Sequence, residues 1–173
     1  FSYTAPSGFK ALCTQNLTDP TIKRGDNHFA IETFTGTGAT RSKTGLRFQP
    51  DFAWFKGRSG ATDHAIYDVA RGVEKRLEAN NTDDEVTGDT TGLTAFNSDG
   101  YTSGALAQIN TSAATYVAWL MKGGGAPVSN TDGSIASSVS ANPTAGFSCV
   151  TYAGQTAAGT VGRVYSNLLV QPS

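Results

Sequence analysis

Every apolar run in this chain is short, and nearly all of them stop at a glycine, a proline or an Asn/Asp turn. His28-Phe-Ala-Ile-Glu-Thr-Phe34 ends at Gly36, Phe52-Ala-Trp-Phe-Lys56 ends at Gly57, and His64 to Asp68 is a further short run. Tyr116-Val-Ala-Trp-Leu-Met-Lys122, the most apolar, stops at Gly123-Gly-Gly125. Leu46-Arg-Phe48 runs into Gln49-Pro50-Asp51, and Phe147 to Tyr152 is again strand-like. Short runs rich in β-branched and aromatic residues, separated by turn formers, read as strands of a sandwich or barrel. The expectation is therefore an all-β, jelly-roll or concanavalin-like antiparallel sandwich with at most one short helix. Val69, Val73 and Leu77, at i, i+4 and i+8, mark the one helical candidate, though Gly72 weakens it, so the stretch reads as a short helix or an ordered loop.

Asn97-Ser-Asp-Gly100 and Asn130-Thr-Asp-Gly133 share one turn pattern. Asn and Asp suit the first turn positions and Gly accepts the positive φ that closes a bulged hairpin. Asp99 and Asp132 are thus read as turn formers rather than metal ligands.

Charged residues make up 16% of the 173 residues, against about 25% in soluble domains. Disorder does not fit, because aromatics are 10% and apolar runs recur. The formal net charge is −1 and Lys and Arg do not cluster, so no long-range field draws nucleic acid. No run is long enough for a membrane-spanning helix, and Phe1-Ser-Tyr-Thr4 does not open like a signal peptide. Cys13 and Cys149 fit two small buried apolar residues or a disulfide, and the sequence does not decide between them.

An internal repeat sets the organisation. Phe29-Ala-Ile-Glu-Thr-Phe-Thr-Gly36 resembles Phe147-Ser-Cys-Val-Thr-Tyr-Ala-Gly154, and Leu46-Arg-Phe-Gln-Pro50 resembles Leu168-Leu-Val-Gln-Pro172. Such self-similarity is a sign of tandem modules. The expected units are 1–27, closing a preceding lectin-like domain or completing the sandwich; 28–125, the main module; 126–145, a linker or hairpin; and 146–173, an incomplete second repeat. Strands of that repeat either pair with the main module or present open edges to another chain, and the first is the expectation, with the N-terminal segment closing the same sheet.

Catalytic patterns are weak. His64 follows Asp63, and neighbours along a strand point to opposite faces, which argues against a Ser/His/Asp relay from this pair. Gly57-Arg-Ser-Gly60 lacks the spacing of a nucleophile elbow, and Ser42-Lys43-Thr44 lacks the glycines of a phosphate loop. No Glu pair nominates itself for glycoside hydrolysis. Asp83-Asp-Glu85 with Asp89 is the densest acidic patch; it reads as a solvated loop, with calcium as the minority option. No other cofactor is expected. Among the aromatics, those at alternating strand positions read as core and outward ones as surfaces that could stack on sugars. The candidate ligand contacts are Trp54, Arg58, Tyr67, Arg71 and Tyr101, with salt-bridged scaffold roles an equal reading for Arg58, Tyr67 and Arg71.

The residues also resemble a known family. Gly45-Leu-Arg-Phe-Gln-Pro-Asp-Phe-Ala-Trp-Phe-Lys-Gly-Arg-Ser59, His64-Ala-Ile-Tyr-Asp-Val-Ala-Arg-Gly72, Leu77-Glu-Ala-Asn-Asn-Thr82, Gly92-Leu-Thr-Ala-Phe-Asn-Ser-Asp-Gly-Tyr101 and Tyr116 to Gly125 follow one another as in a module of tailed-phage structural proteins. The resemblance covers about residues 28 to 125, departing at Leu120-Met121, where a more aromatic or Cys-containing run is the rule. Tyr3 to Leu17 resembles the closing strand of a SPRY-like, lectin-like domain. The resemblance implies a non-enzymatic virion component of a tail fibre or surface fibre. Its implied partners are other virion proteins, copies of itself and a host-surface glycan, with no nucleic acid and no membrane. Alternatives from other classes are a free or enzyme-attached carbohydrate-binding module, a tail-spike glycosidase and a capsid decoration protein.

Overall fold

The computed structural model describes residues 6–9, 16 and 18–154. A 3-10 turn at Gly25–Asn27 leads into β1 (Phe29–Thr35), β2 (Arg41–Lys43), β3 (Phe52–Gly57), β4 (Ala65–Asp68), β5 (Leu93–Asn97) and β6 (Gly100–Ser103). A single helical turn, α1 (Ala107–Asn110), precedes β7 (Thr115–Met121), β8 (Val128–Asn130), β9 (Ser137–Asn142) and β10 (Phe147–Tyr152). The fold is all-β, and every strand pair is antiparallel.

Among the described residues three sheets form, in the orders β1-β7-β3-β4, β2-β6-β5 and β10-β9-β8. The first two face each other as a sandwich. Alternation places Tyr116, Ala118 and Leu120 of β7, and Ala53 and Phe55 of β3, on the buried face. Tyr101 of β6 meets Phe55 edge-on at 5.3 Å between ring centroids, and Tyr67 meets the same ring at 6.2 Å. Phe48, Leu93 and Ile109 complete the core. Each such side chain contributes about 1.5–3 kcal/mol by leaving water. The Asn97 to Gly100 turn closes the β5–β6 hairpin, and Asp99 accepts from the Gly45 and Leu46 amides at 3.1 and 2.9 Å, through its carboxylate and its carbonyl.

No helix forms over 69–77. Gly72 and Glu74 take φ values of 95° and 66°, which an α-helix excludes. The chain instead turns back, so that Leu77 bridges Ile66 and Arg76 bridges Val86. The residues at i, i+4 spacing lie on a loop, from which Val73 packs against the core and Leu77 pairs back to Ile66. Leu46–Phe48 is likewise irregular, although Phe48 enters the core.

Residues 126–145 supply β8 and β9, and β10 pairs with β9 in a third sheet. That sheet docks where β7 runs out into Gly123-Gly-Gly125. Ser140 Oγ accepts from the Gly124 amide at 2.9 Å and donates to the Gly125 carbonyl at 2.7 Å. A Cβ at Gly124 would lie 2.4 Å from the Ala141 carbonyl oxygen, so this approach requires glycine. Asp51, 1% exposed, holds the other side: Oδ2 accepts from the Gly125 amide, and the Cys149 thiol lies 3.6 Å from its carbonyl oxygen. Cys149 is a buried free thiol. Cys13, with most of the 1–17 segment, and the second half of the repeat at 155–173 lie outside the described residues.

Candidate functional site

The pairing register lines up side chains on the outward face of the first sheet. Ile31 of β1 lies opposite Trp119 of β7, Trp119 opposite Trp54 of β3, Trp54 opposite Ile66 of β4, and Ile66 bridges Leu77. The result is an apolar row five residues wide, crossing the whole sheet. Its ends are open, Ile31 being 59% and Leu77 38% exposed, while the two tryptophans between them are half-buried. Their rings sit 5.7 Å apart at 58°, so they form a shallow cleft rather than a flat platform.

Hydrogen bonds fix one wall of that cleft. Trp54 Nε1 donates to His64 Nδ1 at 2.8 Å, and the His64 ring packs 5.5 Å from the indole. Asn80 Oδ1 accepts from the His64 amide, and Asn80 Nδ2 donates to Asp63. Lys56, one position along from the row, donates to the Thr62 carbonyl at 2.8 Å. The next row along the strands, Phe29, Met121 and Phe52, is partly covered by the third sheet, where Phe147 packs edge-on against Phe52. Between them lies an apolar pocket of about 360 Å³ lined by Ile22, Phe29, Met121, Ala145 and Phe147.

The sequence-predicted contacts do not converge here. Trp54 lies in the row, and Arg58 is exposed beyond the end of β3, its amide donating to the Thr115 carbonyl. Tyr67 and Tyr101 are fully buried, which corrects their reading as surface contacts. Alternation places both on the core side of their strands. Tyr67 has its hydroxyl unpaired beside Arg76 and Asp89, and burial, followed by the Asp89 charge, pushes its pKa up to about 12. Arg71 is also committed to structure. Nε donates to Asp68 at 2.6 Å, Nη1 to Glu85 at 3.0 Å and Nη2 to the Ile66 carbonyl at 3.0 Å. Of its two readings, ligand contact and salt-bridged scaffold, these bonds are those of the scaffold.

The acidic patch is split in the same way. Asp83 and Asp84 are exposed, Glu85 is paired with Arg71, and Asp89 is paired with Arg76 while accepting from the Thr91 and Gly92 amides. Among the described residues no group of three or more His, Cys, Asp or Glu is placed to hold a metal ion. Ser42 and Lys43 lie in strand β2.

Trp119, Ile31, Ile66 and Leu77 are the members of the row that residue-by-residue reading missed. Trp119 lies at the parity opposite to that of the core side chains of Tyr116 to Met121, which shows only in the burial because every residue of that run is apolar. Leu77 carried no signal, because its place depends on the loop that brings it back to Ile66.

A family model described as a domain of unknown function (DUF7483) matches residues 24–170, and the chain belongs to this family. No curated protein and no solved structure matches the chain.

Proposed function

We propose that this member of the DUF7483 family is a non-catalytic structural and binding module of a phage particle, part of a tail fibre or surface fibre. It packs beside other virion proteins and copies of itself, and it offers the outward face of its first sheet to a host-surface glycan. The observation that carries the binding role is the row from Ile31 to Leu77. An apolar strip with open aliphatic ends is surface that a partner normally covers. Two tilted indoles in its middle bring ring faces suited to the apolar side of a sugar. The placement on a virion is supported by the motif series from Gly45 to Gly125, which resembles that of tailed-phage modules.

The charged groups support a scaffold role. Glu32, Asp68, Glu78, Glu85 and Asp89 each pair with an arginine and hold loops and edges in place. The reading assigns no catalytic residue and no cofactor. Trp54 and Trp119 also favour a second reading, a carbohydrate-binding module that acts free or attached to an enzyme. The two readings differ in whether the isolated monomer binds or whether copy number is needed to multiply weak contacts. A capsid decoration protein differs from the first reading only in its place on the particle.

Binding to a panel of bacterial envelope polysaccharides, with the chain displayed both as monomer and on multivalent beads, tests the assignment. The beads are expected to retain at least one polysaccharide. Trp119→Ala and Ile31→Lys are expected to weaken retention about tenfold, equivalent to about 1.4 kcal/mol. Retention unchanged by either variant contradicts the assigned face, and no retention at all contradicts the glycan role.

A further inference from the structure

The two copies of the internal repeat bury opposite faces. In β1, Ala30 and Phe34 point into the sandwich and pack on its core, while Phe29 and Ile31 point outward, 41% and 59% exposed. Position for position, Phe29 and Ile31 correspond to Phe147 and Cys149 of β10, and Ala30, Glu32 and Phe34 correspond to Ser148, Val150 and Tyr152. In β10 it is the first set that is used. Phe147 packs on Phe52, and Cys149 is buried against Asp51. The set that matches the core face of β1 is left over. Ser148 and Val150 are half-buried, and Tyr152, the counterpart of Phe34, is 60% exposed. β10 also has a single strand partner, β9, among the described residues.

We propose that β10 is a shared strand: one face closes this module, and the other is the first strand of a second copy of it. The partner is a β7-type strand from that copy, added to the edge of β10 opposite β9, which no described strand covers, as β7 is added to β1. The β1–β7 register then fixes the new pairs: Phe147 opposite the copy's Met121, Cys149 opposite its Trp119, and Tyr152 opposite its Tyr116. Tyr152 would stack on that tyrosine as Phe34 stacks on Tyr116 at 5.5 Å in this module. A contact that joins one end of a module to the other end of the next is heterologous and does not close on itself, so it builds a linear array. The inference does not depend on what the assembled protein binds.

The test is a fusion in which a second copy of residues 37–125 replaces 155–173, so that the only first strand available to it is β10. A control fusion carries residues 29–125 and so keeps its own β1. The test fusion is expected to gain the same β-sheet signal as the control. It alone should slow amide exchange in β10 by about tenfold or more and shield Tyr152 from nitration. A folded second copy with Tyr152 still reactive overturns the proposal, and so does an unfolded second copy beside a folded control. If neither copy folds, the full chain with residues 29–36 replaced by 147–154, carrying Val150→Glu in the transplanted segment so that the pair with Arg41 is kept, decides. Cooperative unfolding with β7 amides still protected supports the shared strand, and loss of that protection overturns it.

Discussion

The Tyr101 hydroxyl donates to Glu32 Oε2 at 2.8 Å and accepts from Arg41 Nη1 at 2.9 Å, joining an edge of one sheet to the other. Arg41 completes the triangle by pairing with Glu32, and its guanidinium lies 4.0 Å from the centroid of the Phe34 ring. The pair's side chains are only 15% and 12% exposed, so removing one member strands a desolvated partner. Tyr101→Phe is expected to lose about 1–3 kcal/mol and Arg41→Met about 3–5 kcal/mol in urea unfolding. Losses below about 0.5 kcal/mol, the range of ordinary surface changes, would remove the clamp from the account.

Gly124→Ala places a methyl group against the backbone of β9, which cannot rotate away. The expected cost is about 1–3 kcal/mol, concentrated in the third sheet. Hydrogen exchange should accelerate across β9 and β10 while β7 stays protected. Equal acceleration in all three strands would mean that the third sheet and the sandwich unfold as one unit.

Alkaline pH should destabilise the fold steeply. Burial, reinforced by the Asp68 and Asp51 charges, pushes the Cys149 thiol from 9.0 up to about 12. Tyr67 rises from 10.0 to about 12, and Tyr101 is also raised, chiefly by burial. In each case the fold favours the protonated form, so its contribution is whole below the unfolded pKa and is lost as pH climbs through the folded one. Between pH 10 and 12 the unfolded chain binds fewer protons than the folded one. Stability should then fall by at most about 1.4 kcal/mol per pH unit for each group, or at most about 4 kcal/mol per pH unit for the three. Urea midpoints at pH 8, 10 and 11 measure this, and a flat profile contradicts it.

The outward and inward faces of the first sheet should respond differently to substitution. Phe55→Ala empties a fully buried site and is expected to cost about 3–5 kcal/mol. Ile31→Lys, on the exposed end of the row, should stay within about 0.5 kcal/mol of the parent. Trp54→Ala should fall between the two, because it loses the His64 hydrogen bond as well as the Trp119 contact. Thermal unfolding of the three variants gives the order directly.

Short runs stopped by turn formers made much of the fold legible. Tyr116 to Met121 reads as a strand because it is short, apolar and stopped by glycines, although its core face shows only in the burial, and the Asn97 to Gly100 turn announces a hairpin. What stayed hidden depends on contacts distant in sequence. Val69, Val73 and Leu77 keep helical spacing, yet Gly72 and Glu74 in the left-handed region turn the chain back on β4. Arg71 and the two tyrosines carry the chemistry of ligand contacts; Asp68 is a local partner for the arginine, but nothing local reveals that Glu85 on another loop also engages it or that the core takes both rings. The row from Ile31 to Leu77 needed the strand order β1-β7-β3-β4, which no single segment encodes.

The central claim, that this chain is a virion module, is tested most directly by immunogold electron microscopy. Antibody raised to the chain is applied to phage particles produced by hosts that carry the gene. The account predicts gold along tail or surface fibres. Gold spread over the head would move the module to capsid decoration, and particles left unlabelled in preparations where the chain itself is detected would contradict the claim.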